Sequence, residues 1–181
     1  MLKLDKFNSI NCNGYNELLV KLDTFDYSKE GVMLYSKDRL YRTKIISKEY
    51  LKVKNIKGNY PIIDLRLVEL RNDEENLLIF LQYFPEYKEK LETIEKNIKN
   101  LEKLILRYYT LIKKQKKQID IPILLKKIIY ELHGEYIKLI SCYNQNPNKD
   151  KPSINLLNVS DLLKNIKPRR LCMLLNWYNT L

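Results

Sequence analysis

The longest regular pattern of apolar positions in the chain runs from residue 87 to residue 112, in steps that alternate between four and three residues. Such a seam is typical of a helix that packs against another helix along one side. Pro85 can occupy the first turn, so we predict a helix from 85 to about 118, a rod of roughly 50 Å. The seam comprises Tyr87, Leu91, Ile94, Ile98, Leu101, Ile105, Tyr108 and Ile112.

A second apolar pattern follows at once and has nearly the same spacing. Asp120 and Pro122 are typical helix-start residues. Because the connection is short, we predict a long antiparallel helical hairpin over 85–143. Its second seam comprises Ile121, Leu125, Ile128, Leu132, Tyr136, Leu139 and Tyr143.

Shorter patterns occupy the N-terminal third. Asn13-Gly14 precedes a helical pattern, and Gly31 begins the run GVMLYS, which a polar turn separates from LYRTKIIS. These two runs predict a β-hairpin. In YLKVKNI, Leu51 and Val53 alternate with lysines, which predicts a half-buried strand with Lys52 and Lys54 on its outer face.

The segment 61–70 is compatible with a helix or a strand. Alternating Ile63, Leu65 and Leu67 favour a strand, whereas the helix-forming residues and the leading Pro61 favour a helix. A helix is the preferred prediction. Asn72 and Asp73 should then form the N-terminal cap of a further helix.

The C-terminal part begins with a polar loop near 144–154 and continues as two short helical patterns, the second beginning at Pro168. The predicted fold is mainly α, with a small α/β N-terminal part, the long hairpin and short C-terminal helices. The predicted organisation is a unit over 1–60, a helical region over 61–143 and a basic C-terminal region over 144–181.

The net charge of the chain indicates the class of partner that it binds. The chain has 33 Lys and Arg against 22 Asp and Glu, and its formal net charge is +11. An excess of this size favours contact with polyanions such as nucleic acid. The candidate RNA-binding residues fall in three groups. They are Lys113, Lys114, Lys116 and Lys117 with the adjacent Arg107; Lys164, Lys167, Arg169 and Arg170; and Lys52 and Lys54.

The four lysines between 113 and 117 have two interpretations. Cations near a helix C-terminus stabilise it by interaction with the helix dipole, which accounts for part of the cluster. Alternatively, the hairpin is an arm that carries a positive tip towards a phosphate backbone. The sequence leaves these two interpretations about equally supported.

The sequence contains none of the catalytic or cofactor-binding motifs that we sought. No G-x-G-x-x-G, P-loop or H-E-x-x-H pattern occurs, and the three cysteines form no C-x-x-C pair. The one histidine, His133, falls mid-helix and is expected to be partly buried and hydrogen-bonded. We therefore expect no enzyme activity, no cofactor, no metal site and no small-molecule substrate.

The compartment follows from what the sequence lacks. No signal-peptide pattern and no membrane-length apolar run occur. We expect a cytoplasmic protein that does not bind membranes.

In composition, with the lysine cluster 113–117 and the KPRR of 167–170, the chain is similar to ribosome-bound dormancy (hibernation) factors of reduced, AT-rich eukaryotes. The resemblance implies a ribosome-associated accessory factor that fills a functional site, with ribosomal RNA and ribosomal proteins as partners. The alternative is a structural helical subunit of a nuclear or viral replication or transcription complex, acting through protein–protein contacts.

Overall fold

The structure is a computed structural model that describes residues 9–145 and 151–181. The chain forms two compact units, with the boundary between Asn59 and Tyr60. As predicted, the fold is mainly α with a small two-stranded sheet near the N-terminus. No helix in the described ranges is long and apolar enough to cross a bilayer.

Unit 1 contains the predicted hairpin between two helices. Helix α1 (Tyr15–Asp23) precedes strands β1 (Gly31–Tyr35) and β2 (Arg42–Ile46), and helix α2 (Lys48–Lys57) follows them. The strands are antiparallel, with Gly31 opposite Ile46 and Tyr35 opposite Arg42. The register brings the backbone so close at Gly31 that no side chain fits there.

The predicted strand around residues 50–56 was wrong, because this segment is helix α2. Ser47 forms its N-cap, and the hydroxyl accepts a hydrogen bond from the Tyr50 N–H at 3.3 Å. Val53 and Ile56 are the buried residues, three positions apart as on a helical face. The alternation of apolar and lysine residues coincided with a helix whose apolar side is narrow.

The described residues of unit 2 form six α-helices. Pro85–Tyr87 forms one 3-10 turn before the third of them, and Thr110–Lys114 forms one π turn directly after it. The helices are α3 (Ile63–Leu70), α4 (Glu74–Tyr83), α5 (Lys88–Tyr109), α6 (Ile123–Gln145), α7 (Leu156–Asn165) and α8 (Pro168–Tyr178). The segment left open between helix and strand is therefore helical, and Asp73 caps α4 by accepting from the Asn76 N–H at 3.2 Å.

Helix α5 is the central element of unit 2 and packs against α3, α6, α7 and α8. Its 22 residues correspond to about 33 Å, and the regular helix stops at Tyr109. Helical structure continues through the π turn to Lys114, four residues short of the predicted end near 118. The interpretation of the hairpin as a projecting arm was wrong, because α5 packs against four other helices. The short helices α3, α7 and α8 cover the apolar seam of α5 together with α6.

The buried face of α5 drifts from the predicted seam near its C-terminal end. Ile94, Ile98, Leu101 and Ile105 are buried as predicted, but Tyr109 is buried at the next step while Tyr108 is only half-buried. A straight helix of 3.6 residues per turn drifts about 20° per heptad relative to a seven-residue repeat. The seam was interpreted as a strict heptad, whereas the buried positions of α5 follow the drift of a straight helix.

Helix α6 runs antiparallel to the C-terminal end of α5 over its first half. Lys113 Nζ lies 4.4 Å from the ring centroid of Tyr130, and one turn earlier the Tyr109 hydroxyl lies 3.4 Å from His133 Nδ1. The second half leaves the predicted seam: Leu139 is 40% exposed, and Tyr136 and Tyr143 are half-buried. The predicted hairpin contact is therefore limited to about half its expected length.

Side chains from the turn between α3 and α4 bind the C-terminal end of α7. Arg71 Nη2 donates to the Leu163 carbonyl oxygen and Asn72 Nδ2 donates to the Lys164 carbonyl oxygen, both at 2.9 Å. The last carbonyls of a helix have no partner within the helix, so these bonds satisfy two of them. They place α7 in the same unit as α3 and α5.

Candidate nucleic-acid interface

The highest density of unpaired positive charge lies on α5 and the turn that follows it. From residue 96 to residue 117 there are eight basic residues and one acidic residue, Glu102, which is buried with 9% exposure. The exposed residues of this stretch therefore carry a large excess of positive charge.

Four of these cations form one face of α5, here called the basic face: Lys96, Lys99, Lys103 and Arg107. Projected at 3.6 residues per turn, they fall within a sector of about 80° and span about 16 Å along the axis. All four side chains are exposed. None of them forms an ion pair with a residue of unit 2 that the structure describes.

The basic face forms because the opposite side of the same helix is the core. Ile94, Ile98 and Leu101 occupy the buried side. Residues on the opposite side of the helix point outward, and lysine is both a good helix former and well hydrated there. The apolar seam therefore fixes the direction in which the four cations point.

The tip lysines, Lys113, Lys114, Lys116 and Lys117, follow the basic face through the π turn. The Gln115 N–H donates to the Thr110 carbonyl oxygen and the Lys117 N–H donates to the Leu111 carbonyl oxygen, both at 3.0 Å. Lys116 has a positive φ of 53°, in the left-handed region that glycine or asparagine usually occupies after a helix.

The tip lysines differ in their surroundings. Lys113 stacks over the Tyr130 ring and is half-buried, whereas the other three are exposed. A cation over an aromatic face is held by the ring quadrupole, so Lys113 has a structural contact of its own. Lys114, Lys116 and Lys117 are the better candidates for contact with a partner.

An open cleft of about 440 Å³ lies beside the basic face. Its walls come from α5, from the π turn and from the first residue of α7. The lining residues are Lys103, Leu106, Arg107, Thr110, Leu111, Gln115 and Leu156. The cleft therefore combines an apolar floor with two cations at its rim.

The second predicted group, at the junction of α7 and α8, lies at the opposite end of α7 from this cleft. Lys164, Lys167 and Arg169 are exposed, and Lys164 lies 4.0 Å from Asp161. Arg170 is different, because its Nη1 donates to Glu131 Oε1 at 2.8 Å and its side chain is only 26% exposed.

Arg170 thus joins α8 to α6 and is engaged within the fold. The junction group and the tip lysines remain two separate positive surfaces, since the ten residues of α7 separate them by about 15 Å.

The third predicted group changes with the corrected secondary structure. On a strand Lys52 and Lys54 would share one face, but on helix α2 they point about 200° apart. Lys52 lies 3.9 Å from Glu49, and Lys54 lies 5.8 Å from the ring centroid of Tyr50. The common lysine surface expected there does not form.

Sequence reasoning missed Lys96, Lys99 and Lys103, because it sought clusters of consecutive charges. The signal was present as a 3.6-residue periodicity of basic positions opposite the apolar seam. Within the described residues, no group of three or more His, Cys, Asp or Glu is placed to hold a metal ion.

No family model, no curated protein and no solved structure matches the chain.

Proposed function

We propose that the chain is a non-enzymatic RNA-binding factor that works by occupying a site in a large ribonucleoprotein, the ribosome being the proposed assembly. The observation that carries this proposal is the basic face of α5, continued by the tip lysines. A row of exposed, unpaired cations on a stiff helix suits a regular series of phosphates, and such contacts position a protein without reading sequence.

The basic face replaces the projecting arm as the proposed mechanism. Because α5 is held by four other helices, its cations are presented on a rigid support and lose little entropy of the backbone on binding. Arg107 adds a planar guanidinium, which can bind a phosphate through two parallel hydrogen bonds. The similarity in composition to ribosome dormancy factors supports the choice of the ribosome.

An anionic membrane surface is a less suitable partner for α5. A helix that lies in a membrane interface needs a large apolar face beside its lysines. The apolar face of α5 is occupied by the core, since Leu101 and Ile105 are fully buried. The lysines are therefore accessible without an apolar surface to insert.

The salt dependence of RNA binding tests the proposal. The logarithm of the association constant should fall linearly with the logarithm of the salt concentration, by roughly 0.7 to 0.9 per phosphate contacted. The double variant Lys99→Gln/Lys103→Gln should make this slope shallower by about 1.5. Fluorescence anisotropy with labelled RNA measures both quantities.

The matched control is Lys127→Gln/Lys138→Gln, which removes the same charge from exposed positions of α6. It should leave the slope within experimental error of the wild type. Equal effects of the two pairs would show that only net charge matters and would remove the basic face from the proposal. Co-sedimentation with ribosomes in a sucrose gradient, with and without ribonuclease, tests the proposed assembly.

A second candidate function rests on a different surface. Ile123, Tyr130 and Ile137 are exposed and lie seven residues apart on α6. An apolar stripe with this spacing favours a helix of a protein partner, as in the structural-subunit alternative. Ile137→Glu should abolish such a contact and leave RNA binding unchanged, and the contact itself should depend little on salt.

A further inference from the structure

The cleft beside the basic face has properties that phosphate contact alone does not require. Phosphates need only cations, but the floor of this cleft is formed by Leu106, Leu111 and Leu156. Leu106 and Leu111 are half-buried and Leu156 is 39% exposed, and all three line the cleft together with Lys103 and Arg107. This combination indicates a ligand that is both anionic and partly apolar. We infer that the cleft binds one unpaired nucleobase of a single-stranded RNA, with its flanking phosphates on Lys103 and Arg107; this inference rests on the proposed function.

The spacing of the two rim cations fits this ligand. Lys103 and Arg107 are one helical turn apart, which places them about 6 Å apart along the axis and on the same side of α5. Two neighbouring phosphates of one extended strand can reach both cations. The base between them then turns towards the leucine floor.

The π turn supplies polar groups that can meet the edge of a base. Thr110 and Gln115 line the cleft, and the hydrogen bond from the Gln115 N–H to the Thr110 carbonyl oxygen, at 3.0 Å, holds them together. The hydroxyl and the side-chain amide offer both donors and acceptors. A π turn is rare and is frequently found at functional sites, which is a second observation in favour of a binding role for this segment.

The length of the charged surface favours a strand over a small free ligand. Lys96 and Lys99 extend the positive surface on one side of the cleft, and Lys114, Lys116 and Lys117 extend it on the other. A base in the cleft would belong to a chain that continues in both directions. A duplex fits poorly, because its bases are stacked and paired, whereas single strands can turn a base out of the stack.

Three RNA probes of equal length test the inference with the intact protein: a single strand, the same strand with its bases removed, and a duplex. The single strand should bind about fivefold or more tightly than the abasic strand, which carries the same backbone charge. Equal binding of all three, with a steep salt dependence, would overturn the base site and leave the proposed function standing. Binding of none would overturn both.

Leu156→Lys and Leu157→Lys form a matched pair of variants. Leu156 lines the cleft and is 39% exposed, whereas its neighbour Leu157 is 71% exposed and does not line it. Both add one positive charge to the same turn of α7. Leu156→Lys should reduce single-strand affinity to within about twofold of the abasic strand despite its added charge, and Leu157→Lys should retain the full preference.

Equal preference for the single strand in the two variants would contradict the inference. A competitor peptide that alternates glutamate and leucine addresses the other class of anionic and apolar ligand. Failure of this peptide to displace the single strand is the expected result. If the peptide displaced the labelled single strand at a lower concentration than unlabelled RNA requires, the nucleobase would be overturned as the ligand.

Discussion

Arg71 donates a hydrogen bond from Nη2 to the Leu163 carbonyl oxygen at 2.9 Å, across 92 residues of chain. Burial lowers the pKa of Arg71, and the carboxylates of Glu95 and Glu102 partly oppose that effect. One guanidinium therefore caps α7 and also interacts electrostatically with Glu95 and Glu102 of α5. It links three helices whose packing forms the core of unit 2.

Replacing Arg71 with Met should destabilise unit 2 by about 2 to 3 kcal/mol. The change leaves a helix-terminal carbonyl without a donor and removes a cation that interacts with the largely buried carboxylate of Glu102. Urea unfolding followed by circular dichroism measures the loss. Asn72→Ala removes the neighbouring, exposed bond to the Lys164 carbonyl oxygen, so its cost should stay near 0.5 kcal/mol. Similar costs for the two variants would contradict the role assigned to Arg71.

Lys116→Gly should stabilise the protein by about 0.5 to 1 kcal/mol. Lys116 has a φ of 53°, where a Cβ atom is unfavourable and glycine is not. Lys114→Gly removes the same charge from the π turn, where φ is not positive, and should instead destabilise by about 0.5 to 1 kcal/mol. Thermal unfolding of the two variants therefore tests for backbone strain at Lys116, because both variants lose the same charge. Changes of the same sign in the two unfolding temperatures would contradict such strain.

The stability of unit 2 should fall as the pH falls below about 6.5. Burial, and secondarily the charge of Lys113, lower the pKa of His133 below its ordinary value of 6.5. The unfolded chain then binds the proton more readily than the folded chain. The stabilising contribution is complete above pH 6.5 and is lost between 6.5 and the lower folded-state pKa, with a slope of at most about 1.4 kcal/mol per pH unit.

Urea midpoints between pH 7.5 and about 5.5 measure this dependence. His133→Gln keeps a polar group near the Tyr109 hydroxyl and removes the titration, so its midpoint should be nearly constant over the same range. The window lies above the region where carboxylates such as Asp73 titrate, since a hydrogen bond from Asn76 lowers the pKa of Asp73 below its ordinary 3.8. A slope that persists in the variant would assign the effect to other groups.

Gly31→Ala should disrupt the hairpin of unit 1. A Cβ atom at Gly31 would lie 2.1 Å from the Ile45 carbonyl oxygen, and the φ of 149° is itself unfavourable for other residues. We expect a cost of at least about 2 kcal/mol, visible as faster hydrogen exchange of the strand amides. Gly134→Ala is the matched control, because nothing lies within 4 Å of the added atom. It should stabilise α6 by roughly 0.5 to 1 kcal/mol.

Features that depend on neighbouring residues were predicted well from the sequence. The hairpin, a cap at Asn72 or Asp73 and the central core positions of α5 follow from turn residues, capping chemistry and periodicity over short distances. The error at α2 arose because the apolar alternation was interpreted without considering that Ser47 could cap a helix.

Features that depend on packing between distant residues could not be predicted in this way. The residues next to Arg71 and Leu163 in the sequence do not indicate the hydrogen bond between them. The apolar seam of α5 likewise does not indicate whether one helix or four will pack against it. The same limit applies to the candidate site. The cations of the basic face are visible in the sequence, but the cleft requires Leu156, a residue 50 positions beyond Leu106, to pack beside them.

Because α5 carries the core on one side and the cations on the other, the two sides can change independently. Substitutions at Lys96, Lys99 or Lys103 alter the electrostatic field without touching the contacts that keep Leu101 and Ile105 dry. Substitutions during evolution could therefore change or remove the affinity for a partner while the fold is retained. In the laboratory the same independence permits charge-reversed forms that stay folded and serve as inert references for the native protein.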